Sequence, residues 1–250
     1  MTEKLYGTVL LKSKDILNYI YQAEHAPTLK EISSNVSISK PTVLKILRTL
    51  EYCGFVRSSS DPKKYYLGTI FIRYGDKVTK NFDIVKIAMP YLNKLRDETT
   101  EAVNLGIIEN NKIILLGRAN STNSIRFDLE LGGSMNMYSS AMGKALLSEY
   151  SSDDLQHYLD QTALIPLTKN TITTKSGFLK ELEETKKRGY AIDNIENQDS
   201  VYCIGFSLVK NDHIFGAFSI SAPVYRVDND KIKTWIKEGR EAQQKILQLF

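Results

Sequence analysis

Two cysteines, three histidines and one tryptophan leave this chain little material for disulfide or metal chemistry. Cys53 and Cys203 fall in what the pattern below reads as different domains, which argues against a bridge between them. His25, His157 and His213 stand isolated, and no Cys/His pair has zinc-ligand spacing. No metal or cofactor is expected. Apolar runs are also short. No stretch approaches 18 consecutive apolar residues, and the N-terminus has no apolar core with a cleavage site. The expectation is a cytoplasmic protein with no membrane partner. Internal repeats and low-complexity linkers are missing too.

What is there is an uneven distribution of charge. The net charge of +4 is ordinary. Residues 1–80, however, carry thirteen Lys or Arg against seven Asp or Glu, a net of +6, while the remainder carries a net of −2. A small basic segment is the footprint of a polyanion partner.

Its pattern says which polyanion. Ile16, Leu17 and Ile20 share one helical face. Thr28, with Glu31 three residues on, forms a capping box that opens a second, short helix. Ser39 stands where it can cap a third helix, and Pro41 sits in its first turn, where a missing N–H costs little. In that third helix Val43, Ile46, Leu47 and Leu50 recur at i, i+3, i+4 and i+7, a buried stripe. Lys40, Thr42, Lys45 and Arg48 fall off the stripe, able to donate to phosphates and base edges. A lone helix of this kind reads more simply as a core helix with a solvated basic face. The short helix before it and the hairpin after it reverse that preference. Phe55-Val56-Arg57 and Tyr65-Tyr66-Leu67 are β-prone runs joined by a turn-rich segment, with Lys63 and Lys64 near its tip. Two short helices, a recognition helix and a hairpin describe a winged helix-turn-helix over residues 1–67, with double-stranded operator DNA as partner. Residues 68–81 read as a linker helix. Its stripe of Ile70, Phe71, Tyr74 and Val78 suits dimer packing as well as burial within the chain.

Residues 82–250 read as a second domain. A helix is expected over Phe82 to Thr99, kinked or restarted at Pro90. Strands follow at Glu101 to Ile108 and Lys112 to Arg118, joined through Glu109-Asn110-Asn111. Helices are expected over Ala141 to Glu149, Ser152 to Leu159 and Ser176 to Arg188. Strands are expected at Tyr190 to Asn194, Tyr202 to Val209 and Ile214 to Ser221, and Asp228 to Phe250 closes the chain as a helix. Helices around a mostly antiparallel sheet make the fold class α+β, with a ligand-sensing domain at the C-terminus.

Blocks of residues in both parts resemble the isocitrate lyase regulator (IclR) family of bacterial transcription factors, over nearly the whole chain. They are Lys40-Pro41-Thr42-Val43; Ala88, Pro90, Leu92 and Leu95; and Tyr138-Ser139-Ser140-Ala141-Met142-Gly143-Lys144-Ala145-Leu146-Leu147. To these add Gly189-Tyr190-Ala191-Ile192-Asp193 with Glu196, Val201-Tyr202-Cys203-Ile204, and Ser219-Ile220-Ser221-Ala222-Pro223. Order and spacing carry the likeness more than any one block. The resemblance implies a GAF-like effector domain that binds a small organic acid and alters operator binding. It also implies a homodimer or homotetramer, acting as repressor or activator according to where the operator lies. Asp193, Val201 and Cys203 match positions that line the family's effector pocket. Tyr138 stands where the family commonly has His, so no metal or anion role is carried over to it. Ser39 and Pro41 exchange the proline and serine that usually precede the recognition helix.

On chemistry alone, Ser140 before Ala141 and Met142 reads as an N-cap whose neighbouring free amides can take a carboxylate, or as a plain cap. Asp193 can accept from a ligand hydroxyl or cap a strand end. Cys203 in an apolar strand reads as a small hydrophobe. Ser219 and Ser221 alternate along one strand and face one side, where two hydroxyls suit a polar ligand or neighbouring backbone. Arg126 reads as a surface residue. The polar set suggests a hydroxylated acid such as a sugar acid or keto acid as effector. Tyr190 to Asn194 with Glu196 and Asn197 resembles family members that control sugar-acid catabolism, which implies a catabolic operon as target. The rival reading makes Cys203 a nucleophile or redox centre, for which His213 is the only candidate base nearby in sequence.

Overall fold

The computed structural model describes residues 7–60, 63–80, 83–124 and 130–250. Asp61, Pro62 and Arg126 lie outside them. Two compact units, Met1–Asn81 and Phe82–Phe250, divide the chain.

The first unit contains α1 (Thr8–Gln22), α2 (Leu29–Asn35), α3 (Lys40–Tyr52), β1 (Val56–Ser58), β2 (Tyr65–Leu67) and α4 (Ile70–Lys80). The expected capping box at Thr28 is complete: Thr28 Oγ1 accepts from Glu31 N, and Glu31 Oε2 accepts from Thr28 N at 2.7 Å. That backbone bond is the main reason the Glu31 carboxyl titrates at about 2. Ser39 differs from expectation. It occupies the N-cap of α3 with extended backbone, but its hydroxyl bonds Thr42 Oγ1 at 2.9 Å and caps no amide. Pro41, in the first turn, removes one donor that would otherwise need a cap. Ile16, Ile20, Ile32, Val43, Ile46, Leu47, Leu50, Val56 and Tyr65 make the core. The β1–β2 pair is antiparallel, and a bridge from Thr28 to Lys64 ties the wing to the turn before α2.

The second unit runs α5 (Asp83–Thr99), β3 (Ala102–Glu109), β4 (Lys112–Ala119), β5 (Ser134–Asn136), α6 (Ala141–Leu147), α7 (Ser152–Gln161), α8 (Lys175–Arg188), β6 (Ala191–Asn194), β7 (Val201–Lys210), β8 (His213–Pro223) and α9 (Asn229–Leu247). Pro90 neither ends nor restarts α5, which continues unbroken to Thr99. Strand β5 is an addition to the expected elements, too short and polar to announce itself. The β3–β4 hairpin turns on Asn110 and Asn111, both at positive φ, the backbone that a two-residue turn matching strand twist requires.

Six strands form one antiparallel sheet in the order β5-β4-β3-β8-β7-β6. Alternation gives it two different faces. Val103, Leu105, Ile204, Phe206, Phe218 and Ile220 point toward α5 and α9 and pack with Ala88, Leu92 and Trp235. The residues between them face α6, α7 and α8. Gly205 lets α6 reach that face, since a Cβ there would overlap the Ala141 carbonyl. Gly143 lets the segment leading into α6 pass close, since a Cβ there would overlap the Met137 backbone. Both obstacles are backbone, which cannot swing aside. Gly205→Ala is therefore expected to cost about 1–3 kcal/mol or more, read as a drop of several degrees in melting temperature; an unchanged melt would show that α6 does not need this approach.

Candidate functional site

Each unit carries its own candidate site. In the first, α3 buries Val43, Ile46, Leu47 and Leu50 and leaves Lys40, Lys45 and Arg48 exposed, with Thr42 half-buried. Ser39 is exposed and Thr28 half-buried at the capping box. Lys63 is exposed and lies 3.9 Å from Glu51, a loose pair that a phosphate can replace. Lys64 is half-buried by its bridge to Thr28. The structure adds two residues to this surface. Tyr52, 93% exposed, closes the outer face of α3. The guanidinium carbon of Arg57 lies 4.4 Å from the Tyr66 ring centre, holding a cation on the wing. Neither stands out in sequence, because exposure of an aromatic follows from packing rather than spacing.

Beside this surface lies an apolar cavity of about 730 Å³, lined by Val9, Leu10, Leu17, Tyr21, Ile46, Phe55 and Phe71 among others. Its walls are mostly hydrocarbon, which suits a partner's apolar side chains better than a small polar ligand.

In the second unit a cavity opens between α6 and the sheet. It encloses about 40 Å³ of space for water centres, room for roughly three waters. Ser140, Ala141, Met142, Asp193, Val201, Cys203, Ser219 and Ser221 all line it. Strand register explains the gathering. Asp193, Cys203, Ser221 and Ala102 lie side by side on neighbouring strands, one rung of the sheet. Gly205, Ser219, Asn104 and Arg118 form the next rung. Together they make a floor, and the start of α6 is the roof. Ser140 Oγ accepts from Gly143 N at 3.2 Å, so this serine does cap α6.

Reading the sequence does not single out Glu101, Asn104, Arg118 or Arg226, which also line the cavity. Glu101 and Arg226 form a bidentate ion pair, Nε to Oε1 and Nη2 to Oε2 both at 2.7 Å. Partners 125 residues apart leave no local signal; the β3–β8 pairing is what joins them.

Asp193 is 3% exposed, and its Oδ1 accepts from Glu196 N at 2.7 Å and Asn197 N at 3.3 Å. Burial pushes its pKa up to about 7 against the pull of those bonds, with the Glu196 charge adding to the rise. Burial likewise raises the Cys203 thiol well above its usual range, helped by the neighbouring Asp193. His213, the expected base, lies eight residues along β8 from Ser221, the partner of Cys203. That is roughly 26 Å at about 3.3 Å per residue. The nucleophile reading therefore lacks a lowered pKa, and its expected base is remote. Among the described residues, no group of three or more His, Cys, Asp or Glu is placed to hold a metal ion, and no helix is long and apolar enough to cross a membrane.

Behind the cavity, Lys144 of α6 is fully buried and donates to Glu196 Oε1 at 2.6 Å, with Glu181 at 3.4 Å. Glu181 also accepts from Arg188 at 2.7 Å. The loop after β6 is held as well: Thr168 Oγ1 donates to the Ile195 carbonyl and Thr171 Oγ1 to that of Glu196. Ile195 and Ser200 both adopt positive φ, uncommon for side chains with a Cβ and more so for a branched one. The loop thus carries strain where it joins the site.

Residues 9–60 match the family described as the IclR helix-turn-helix domain, and residues 76–248 the bacterial transcriptional regulator IclR C-terminal family. The HTH-type transcriptional regulator KdgR of Escherichia coli K12 is 26% identical over 219 residues, 87% of this chain and 83% of that one. The crystal structure of the Thermotoga maritima IclR superposes with a TM-score of 0.82 at 30% identity, covering 96% of this chain and 98% of that one. An IclR homolog from Microbacterium hydrocarbonoxydans, crystallised with 4-hydroxybenzoate, gives a TM-score of 0.80 over 97% of this chain and 100% of that one; at 16% identity the likeness is one of fold.

Two outcomes follow. Asp193 keeps its proton to about pH 7 when folded but only to about 3.9 unfolded. Between those values the folded state binds more protons, so this group lowers stability as pH rises through the window. Asp193→Asn keeps the two backbone bonds and cannot ionise; its melting temperature is expected to lose that downward contribution between pH 4.5 and 7.5, and parallel wild-type and variant profiles would refute the raised pKa. Lys144→Met strands the Glu196 carboxylate without its cation and is expected to cost about 3–5 kcal/mol. Adding Glu196→Leu should restore much of it in a double-mutant melt.

Proposed function

The chain belongs to the IclR family of bacterial transcriptional regulators, and on that premise we propose that a small organic acid, held between α6 and the sheet, sets its affinity for operator DNA. The observation that carries the reading is the convergence of Ser140, Asp193, Cys203, Ser219 and Ser221 on one cavity, polar groups set into a largely apolar lining. Its volume favours a compact acid, or a larger one that displaces flexible walls such as Met135 and Met142. The regulated genes are then those for catabolism of that acid, a sugar acid or keto acid. The 4-hydroxybenzoate bound by the Microbacterium homolog is itself a small organic acid.

In this reading residues 1–67 bind DNA, 68–81 link and 82–250 sense. Lys40, Lys45, Arg48, Lys63 and Lys64 supply phosphate contacts, while Thr28, Ser39 and Thr42 set register and read base edges. Pairing of two copies is supported by the apolar residues exposed on α1 and α4: Val9, Leu10, Leu11, Ile72 and Tyr74. A C2 dimer would place two recognition helices about one helical turn apart on the duplex, roughly 34 Å. A tetramer would repeat this pairing.

Titration of a labelled operator, with and without a panel of small acids, tests the reading directly. Operator affinity is expected to fall linearly with log salt and to shift when the right acid is present. Lys45→Ala with Arg48→Ala should weaken binding at least tenfold and flatten the salt slope by about 0.9 for each phosphate no longer neutralised. Wild-type affinity in that double variant, or equal affinity for every duplex, would defeat the DNA assignment.

A further inference from the structure

Asn104, in the floor of the cavity, has one polar atom unmatched. The residue is 1% exposed, and its Nδ2 donates to Ser221 Oγ at 3.0 Å. Its Oδ1 is buried and has no hydrogen-bond donor among the described residues. Buried amide oxygens are rarely left so, because the desolvation penalty is uncompensated. Arg118, its register partner on β4, gives that oxygen no hydrogen bond, and Ser219 and Asp193 are engaged elsewhere. Ser219, opposite Asn104 in register, shares its hydroxyl with Ser221 at 3.4 Å. The carboxylate of Asp193, on the next rung, accepts from two backbone amides. The floor therefore leaves one acceptor open toward the cavity.

We propose that Asn104 is a specificity-determining residue for the effector, accepting a hydrogen bond from a hydroxyl that the acid carries. The assignment rests on the organic-acid reading given above and deepens it: the ligand class becomes hydroxy acids, in preference to keto acids or unsubstituted acids of the same length. A keto oxygen only accepts, so set against Asn104 Oδ1 it leaves both acceptors unsatisfied. A site built around a hydroxyl rejects the analogue lacking it far more strongly than an apolar wall does. Met135 and Met142, unbranched and flexible, are the walls able to yield so that the ligand reaches Oδ1.

Isothermal titration of the full chain with matched acids tests this. The probes are lactate, pyruvate and propionate; 2-hydroxybutyrate, 2-oxobutyrate and butyrate; and gluconate with its 2-keto counterpart. In at least one series the hydroxy acid should bind tenfold or more tightly than its keto partner. Asn104→Leu, similar in shape but with no acceptor, should reduce that preference to threefold or less. Asn104→Asp, which keeps acceptor oxygens, should retain it. If the leucine variant does not fold, Asn104→Ser, which withdraws the acceptor by shortening the side chain, serves in its place. Keto and hydroxy acids binding equally to the wild type, or a preference that survives loss of the acceptor, would overturn the role of Asn104 and leave the organic-acid reading standing. No binding by any probe at millimolar concentration would overturn both.

Discussion

The ion pair between Lys144 and Glu196 is the constraint on which the second unit turns. Both groups are buried, and the 2.6 Å contact ties α6 to the loop after β6, a link reinforced where Ser139 Oγ donates to Asn197 Oδ1 at 3.0 Å. Helix α6 has seven residues, too few to persist on its own propensity. The loop after β6 contains two residues at positive φ. One end of the pair is the last polar anchor of the roof; the other is the loop that carries Asn197 and Gln198 into the cavity wall. A buried pair of this kind is weak evidence for net stability, since desolvation offsets most of the attraction. What it provides is position. It fixes the height of α6 above the sheet while Gly205 permits the approach.

Given that placement, the division of labour across the sheet follows from strand alternation alone. Every second residue of β3, β7 and β8 enters the core shared with α5 and α9, where Phe206 and Phe218 stack with centroids 5.1 Å apart. The intervening residues are Asn104, Cys203, Ser219 and Ser221. A packed apolar face and a polar floor thus come from the same strands, and the rigidity of one is lent to the other. A site built on paired strands holds its side chains more closely than one on loops. The part of this site able to yield is its roof and rim, built from a short helix, a strained loop and two methionines.

Much of this is legible in sequence, and the remainder is hidden for identifiable reasons. The 3.6-residue stripe of Val43, Ile46, Leu47 and Leu50 marks α3, and the Thr28/Glu31 pair marks the start of α2, because both signals are local. The alternation of Ser219 and Ser221 assigns them to one face of β8. Pro90 does not restart the helix: a proline in the middle of a long amphipathic helix removes one hydrogen bond, yet packing of Ala88, Leu92 and Leu95 carries α5 through it. Ser39 is under-determined, since occupying an N-cap and accepting from the helix amides are different things. Asn104, Glu101 and Arg226 are invisible because their meaning depends on β3 pairing with β8 across more than a hundred residues. Pairing register is a tertiary fact. Likeness to a family finds several of the cavity positions, while their companions in the same rungs need the sheet.

Cys203 and Asp193 show how one environment separates a sensor from an enzyme. They are register partners on β6 and β7, Asp193 buried and Cys203 half-buried by the chain around it. Catalysis would require the thiol to ionise easily, with a base at hand. Burial does the reverse, raising the thiol and leaving it a small, weakly polar wall. The same burial brings the Asp193 carboxyl to about 7, where adding or removing its proton costs little near neutral pH. A neutral Asp193 can lie beside an incoming carboxylate without repulsion, whereas an ionised one cannot. Desolvation that outweighs the pull of Lys144 is thus unfavourable to a nucleophile and, on the proposed reading, favourable to a pocket that admits an anion and releases it again.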